Sequence, residues 1–310
     1  MLETPVLFLI FNRPALTAQV FKRIRAARPR QLFVAADGPR PNNLKDKALC
    51  METRKIIEQI DWACEVKTLF RVENLGCGKA VSEAITWFFD HVEEGIILED
   101  DCVPHADFFL FCEKMLEKYR HEARIMQITG TNYLFKQYKN TPNTYHFSAY
   151  NSIWGWATWR KSWQQYRFYI EQPSEILPHL TENITHPVLR TWLMESFTDV
   201  AAGKIDTWDF QWNFAIQKNN GLCVTPNLNL IKNKGYFGVH YMGRTLHNNM
   251  LTYSFNVKNI IHPTIIEIDR EKDFLAATHM LYSKKDLRIR IAFKIREMLK
   301  KYLNVSFKFF

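Results

Sequence analysis

From residue 6 to residue 101 short apolar runs alternate with helical patterns, and this alternation limits the kind of sheet the chain can build. Residues 6–11 read as a strand, 14–27 as a helix with Pro14 in its first turn, and 31–36 as a second strand ending in the turn Asp37-Gly38-Pro39. A polar loop follows, then a helix over about 45–60 and a short strand over 65–71. Next come the turn Asn74-Leu75-Gly76-Cys77-Gly78, a helix over 79–94 and a strand over 95–98. Strands separated by helices predict an α/β fold with an open, mixed, mainly parallel sheet and helices on both faces. Such Rossmann-like sheets bind ligands beyond the carboxyl ends of their strands. Asn12-Arg13, Asp37-Gly38 and Glu99-Asp100-Asp101 fall at three such ends, a convergence of polar groups that core packing does not require.

The second half is less regular. It predicts a helix over 106–119, a strand near 125–129, an apolar segment over 145–150 and the aromatic run Trp154-Gly155-Trp156-Ala157-Thr158-Trp159. Helices at about 187–201 and 208–219 follow, then strands over 222–225 and 229–232 and a glycine-rich stretch over 235–243. No repeat or Pro/Gly/Ser linker interrupts this pattern, so residues 1–280 form one body and 281–310 a tail.

With 47% hydrophobic and 24% charged residues, disorder and fibrous architecture are excluded. The formal charge of +9 first points to a polyanion. Its placement says otherwise: residues 284–310 hold nine Lys and Arg against Asp286 and Glu297, a net +7, which leaves the body nearly balanced. No nucleic-acid partner is expected from such a body.

On a helical wheel Leu287, Ile291, Ile295, Met298 and Tyr302 share one sector, opposite Arg290, Lys294, Arg296, Lys300 and Lys301. This C-terminal basic amphipathic helix either lies on an anionic membrane surface, at about 1 kcal/mol per basic residue, or packs on the body. The terminal Phe307, Phe309 and Phe310 add apolar surface and favour the membrane.

Six cysteines at 50, 64, 77, 102, 112 and 223 form no CxxC pair or zinc spacing, so reduced, mostly buried thiols are expected. The first apolar run is too short for a signal peptide or a span of about 20 residues. The expected location is therefore cytoplasmic, peripheral on the inner face of the cytoplasmic membrane, and the sequons at Asn183 and Asn304 are chance matches.

Three adjacent carboxylates at the end of a buried strand repel one another and lose solvation. A hard divalent cation such as Mg²⁺ or Mn²⁺, which keeps water and bridges to phosphate oxygens, would relieve them. A solvated acidic turn, or a charge cluster before the helix that follows Pro104, is the alternative.

Residues 6–13, Ala35-Ala36-Asp37-Gly38, Asn74-Leu75-Gly76, Ile96-Ile97-Leu98-Glu99-Asp100-Asp101 with Pro104, Trp154-Gly155-Trp156 and Trp208-Asp209 together resemble the GT-A nucleotide-sugar glycosyltransferases. The order is most similar to the inverting N-acetylglucosaminyltransferase of N-glycan synthesis and to bacterial surface-polysaccharide transferases, over roughly residues 5–245. The resemblance implies that 1–103 is a nucleotide-binding half and 104–280 an acceptor half. It implies Asp101 as the direct metal ligand, Asp100 and Glu99 facing the donor's ribose and sugar, and Arg13 and Asp37 holding the nucleotide base. Asp37 has the alternative of a turn-forming role before Gly38. Lys79 is a donor-side candidate or a solvated first-turn lysine, since the segment lacks the G-x-x-x-x-G-K-[ST] spacing of a phosphate loop.

Asp209 matches the family's catalytic base, with Asp206 as its rival and helix capping as the alternative for both. The family pattern has two adjacent acids, and here Phe210 follows Asp209. Trp156 matches a residue of the sugar site, while Trp159 and Trp163, at helical spacing from it, read as packing. His240 lies in a stretch similar to a loop that orders over bound donor, where it would contact phosphate; an ordinary surface or core histidine is the alternative.

The resulting expectation is a metal-dependent, inverting glycosyltransferase that uses Mn²⁺ or Mg²⁺ and a UDP-sugar, acting on a saccharide or lipid-linked saccharide. The rivals are a sugar-nucleotide pyrophosphorylase and a non-catalytic nucleotide-sugar-binding or membrane scaffold protein. A pyrophosphorylase usually carries a glycine-rich loop after its first strand, where this chain has Phe11-Asn12-Arg13-Pro14.

Overall fold

The computed structural model describes residues 1–134, 141–235, 251–254 and 256–281. Its first half follows the apolar alternation closely: β1 (Val6–Ile10), α1 (Pro14–Ala27), β2 (Gln31–Ala36), α2 (Leu44–Arg54) with a 3-10 turn at Lys55–Gln59, β3 (Glu65–Phe70), α3 (Gly76–His91) and β4 (Glu94–Glu99). Then come β5 (Cys102–Pro104), α4 (Ala106–Tyr119), β6 (Ile125–Thr129), β7 (Tyr145–Ser148), β8 (Trp156–Trp159) and α5 (Arg160–Trp163). The remainder is α6 (Leu177–Asn183), α7 (Pro187–Ala201), α8 (Asp209–Lys218), β9 (Leu222–Pro226), β10 (Ile231–Asn233) and α9 (Arg270–Leu281).

Eight strands form one mixed, mainly parallel sheet in the order β3-β2-β1-β4-β8-β6-β9-β7. β3, β2, β1 and β4 run parallel, so their carboxyl ends share one rim. Between β4 and β6 lies β8, antiparallel to both, and β7 closes the far edge antiparallel to β9. β5 and β10 make a separate antiparallel pair.

The period of two sorts the strand residues between two cores. Val6, Phe8, Leu32, Val34, Ile96 and Leu98 pack with α1 and α4 on one face. Leu7, Leu9, Phe33, Ala35 and Ile97 pack with α3 and α8 on the other. Glu99 continues the phase of Ile97 and so belongs to the α3/α8 side. A third apolar cluster joins α6, α7, α8 and α9 through Leu180, Leu193, Phe197, Phe214 and Ala277.

Within the aromatic run, residues 156–159 are strand, because the gap between β4 and β6 is filled by main-chain pairing of Ile97 with Trp156 and Glu94 with Trp159. One expectation is corrected: α3 begins at Gly76 and not at Lys79, since the glycine turn winds into the helix. β5, α6 and α9 carry too little periodicity to have been read from the chain. Among the described residues no helix is long and apolar enough to cross a membrane. The basic segment 284–310 lies outside the described residues.

Candidate active site

Pro14 opens α1 at the end of β1 and keeps Arg13, the helix N-cap, out of the helical conformation, at φ −122° and ψ 68°. From there the Arg13 guanidinium reaches the end of β4: its Nη1 lies 2.7 Å from Asp101 Oδ2 and 3.4 Å from Asp100 Oδ1. The expectation that Arg13 holds a nucleotide base therefore meets a side chain already committed to two carboxylates. Asp100 also accepts the Phe11 N–H at 3.3 Å, and Asp101 Oδ1 faces the Cys102 thiol at 3.3 Å. Lys234 N–H binds the Asp101 carbonyl at 2.8 Å and brings Gly235 so close that a Cβ there would lie 2.0 Å from Asp101 Oδ2.

Both aspartates are buried. Burial pushes the Asp100 carboxyl up to about 7; Asp101 adds to this, while Arg13 and the Phe11 N–H oppose it. Glu99 is held well above the usual carboxylate range by burial and by the charges of Asp101, Asp100 and Asp209. Its Oε1 is buried and has no hydrogen-bond partner among the described residues. A buried oxygen without a donor costs about 1–3 kcal/mol, so a ligand that supplies one recovers that energy.

Asp206 and Asp209, rivals in sequence, have different surroundings. Asp206 Oδ1 accepts the Gly78 N–H at 3.1 Å and so caps α3. Asp209 is the first residue of α8; its Oδ1 accepts the Phe210 N–H at 2.9 Å and the Thr207 hydroxyl. Its Oδ2 accepts no hydrogen bond from the described residues. The Asp209 charge acts on Glu99, Cys77 and Tyr133, which places these groups in one electronegative neighbourhood. Cys77 is exposed at the surface, and the partial loss of hydration in this crowded region, with the charges of Glu99, Asp209 and Asp206, pushes its thiol up. Burial carries the Tyr133 hydroxyl to about 12. Cys77, in the first turn of α3, and Tyr133, in the loop after β6, were not singled out as site residues from the sequence, because no local pattern marks them; Gly235 opens the glycine-rich stretch that the sequence did mark.

Hard carboxylate oxygens, excess negative charge and an orphaned oxygen fit Mg²⁺ or Mn²⁺ in donor chemistry. Among the described residues no group of three His, Cys, Asp or Glu side chains converges to hold an ion without help. Asp101 could therefore hold one only together with water or substrate oxygens.

No known protein family and no curated protein matches the chain. Among solved structures it is similar to HddC from Yersinia pseudotuberculosis, at 10% identity and a TM-score of 0.31, over 51% of this chain and 77% of that one.

The other candidates are placed as follows. Asp37 uses both oxygens on the neighbouring loop: Oδ1 accepts from Gly38 N–H at 2.9 Å and Leu75 N–H at 3.0 Å, and Oδ2 from Asn74 Nδ2 at 2.9 Å. Burial raises its pKa and these N–H groups oppose the rise. Lys79 is exposed and pairs with Glu83 at 3.9 Å, in keeping with a solvated first-turn lysine. Trp156, expected to line the sugar site, is 0% exposed; its ring stacks on Trp208 at 5.7 Å and packs on Trp212, inside the α3/α8 core. Its assignment is corrected from sugar platform to core. His240 lies outside the described residues.

Proposed function

We propose that this chain is a metal-dependent, inverting glycosyltransferase of the GT-A type. It would move a sugar from a nucleoside-diphosphate donor, a UDP-sugar first, to a saccharide or lipid-linked saccharide. One observation carries the reading. The buried triplet Glu99-Asp100-Asp101 at a parallel strand end shares its surroundings with Asp209, a carboxylate with one oxygen open to a new hydrogen bond.

Sugar transfer to a hydroxyl needs charge against the departing diphosphate and a base for the hydroxyl proton. Asp101 would hold the divalent cation, which supplies that positive charge. Asp209 Oδ2 would take the acceptor proton as the new bond forms, and Glu99 Oε1 would accept a hydroxyl of the donor sugar. Asp206 is committed to capping α3, which favours Asp209 as base. The basic residues of 284–310 would hold the enzyme on an anionic leaflet, where a lipid-linked acceptor lies.

Thermal denaturation with UDP-, GDP- and CDP-sugars, each with and without Mn²⁺, tests the reading. A true donor raises Tm by mass action, and the rise should need the metal. Slow hydrolysis of that donor without acceptor separates an enzyme from a scaffold. If no nucleotide sugar shifts Tm and none is hydrolysed, the proposal fails.

A further inference from the structure

We propose that Arg13 is a built-in counter-cation that keeps divalent cations off Asp101 until a nucleoside diphosphate arrives. This rests on the metal site of the preceding section and adds a gate to it. Both Asp101 oxygens are engaged, Oδ1 by the Cys102 thiol and Oδ2 by Arg13 Nη1. Asp101 Oδ2 occupies the space that a Cβ at residue 235 would fill, so the carboxylate is packed against Gly235 on that side. A divalent cation on Asp101 must therefore displace the guanidinium or lie beside it, and like charges at that separation repel.

Arg13 is built to move at one end only. Its main chain is fixed: its carbonyl accepts the Thr17 N–H and Thr17 Oγ1, both at 2.9 Å, and Pro14 restricts its backbone. Its side chain is 38% exposed, so the guanidinium has a path away from the acids. A diphosphate offers it a destination, since the planar fork of arginine matches phosphate oxygens. Donor and metal would then enter as a unit. Without donor the acids keep a cation that costs no translational freedom to recruit, which explains how three carboxylates coexist at a buried strand end.

Mn²⁺ binding to the full-length protein, followed by electron paramagnetic resonance without nucleotide, tests the gate. Arg13→Gln should bind Mn²⁺ at least tenfold more tightly than wild type, and Arg13→Lys, which keeps a point charge without the fork, should fall between them. UDP, GDP or CDP should tighten Mn²⁺ binding to wild type by more than to Arg13→Gln. Loss of a partner for the acids should lower the Tm of Arg13→Gln by roughly 5 °C, and Mn²⁺ should restore it.

Equal or weaker Mn²⁺ binding by both Arg13 variants overturns the gate while leaving the metal site intact. If Arg13→Gln does not fold, the Arg13→Lys comparison and the nucleotide dependence of wild type decide. An Asp101→Asn protein that binds Mn²⁺ as well as wild type overturns the metal site itself, and the gate with it.

Discussion

Asp206 Oδ1 accepts the main-chain N–H of Gly78 at 3.1 Å, so the loop before α8 caps the first turn of α3. Two glycines make this possible. A Cβ on Gly76 would lie 2.6 Å from Asp206 Oδ2, and one on Gly78 would lie 2.5 Å from Oδ1 and 2.7 Å from the Thr207 carbonyl; Gly76 also has φ +80°. The helix N-terminus, an attractive place for a phosphate, thus already holds a carboxylate of its own chain.

Asp206→Ala should destabilise the protein by about 1 kcal/mol, the usual value of an N-terminal cap. Gly78→Ala should cost more, because its methyl meets the Thr207 main chain as well as a side chain. Urea denaturation of the two variants would show the order, and equal stability of Asp206→Ala and wild type would contradict the cap.

Asp209→Asn preserves shape and removes the base. Turnover should fall by roughly 10²–10⁴-fold, with donor affinity by calorimetry and Tm close to wild type. Asp206→Asn should lose far less activity, since an amide oxygen can still accept the Gly78 N–H. A larger loss in Asp206→Asn than in Asp209→Asn would reverse the assignment.

Trp156→Ala separates core from sugar platform. A buried tryptophan packed on Trp208 and Trp212 should cost about 3–5 kcal/mol when truncated. The folded fraction should bind donor normally. Loss of donor affinity with unchanged Tm would show that the ring serves the ligand instead.

Local signals explain what the sequence revealed. The helices Pro14–Ala27, Ala106–Tyr119 and Pro187–Ala201 and the strands Gln31–Ala36 and Ile125–Thr129 coincide with their expected bounds. Each has its own periodicity, and prolines mark several of the starts. The acids 99–101 were legible as a candidate site because burial and like charge conflict within three residues. The partners were not: Arg13 meets Asp101 and Asp206 meets Gly78 only through the order in which parallel strands assemble. Trp156 was assigned to the sugar site through the resemblance alone, whereas its place in β8 turns the ring into the α3/α8 core.

Asp273 ties α9 to the sheet edge and should give stability a pH dependence of its own. Its Oδ2 accepts the Ala149 N–H at 2.8 Å, while Oδ1 is buried without a hydrogen-bond partner among the described residues. Burial pushes this carboxyl from 3.8 up to about 7; hydrogen bonds from Ser148 and Ala149 and the Arg270 charge oppose the rise, and Asp269 adds to it. Between those values the folded state keeps a proton that the unfolded chain has released, so stability falls as pH rises from about 4 to about 7 and levels off above. Three units correspond to about 4 kcal/mol. Asp273→Asn cannot titrate, so its stability relative to wild type should improve by about that amount between pH 4 and pH 7.5, other groups cancelling in the comparison. Parallel stability profiles of the two proteins by urea denaturation across this range would show that Asp273 ionises as freely in the fold as outside it.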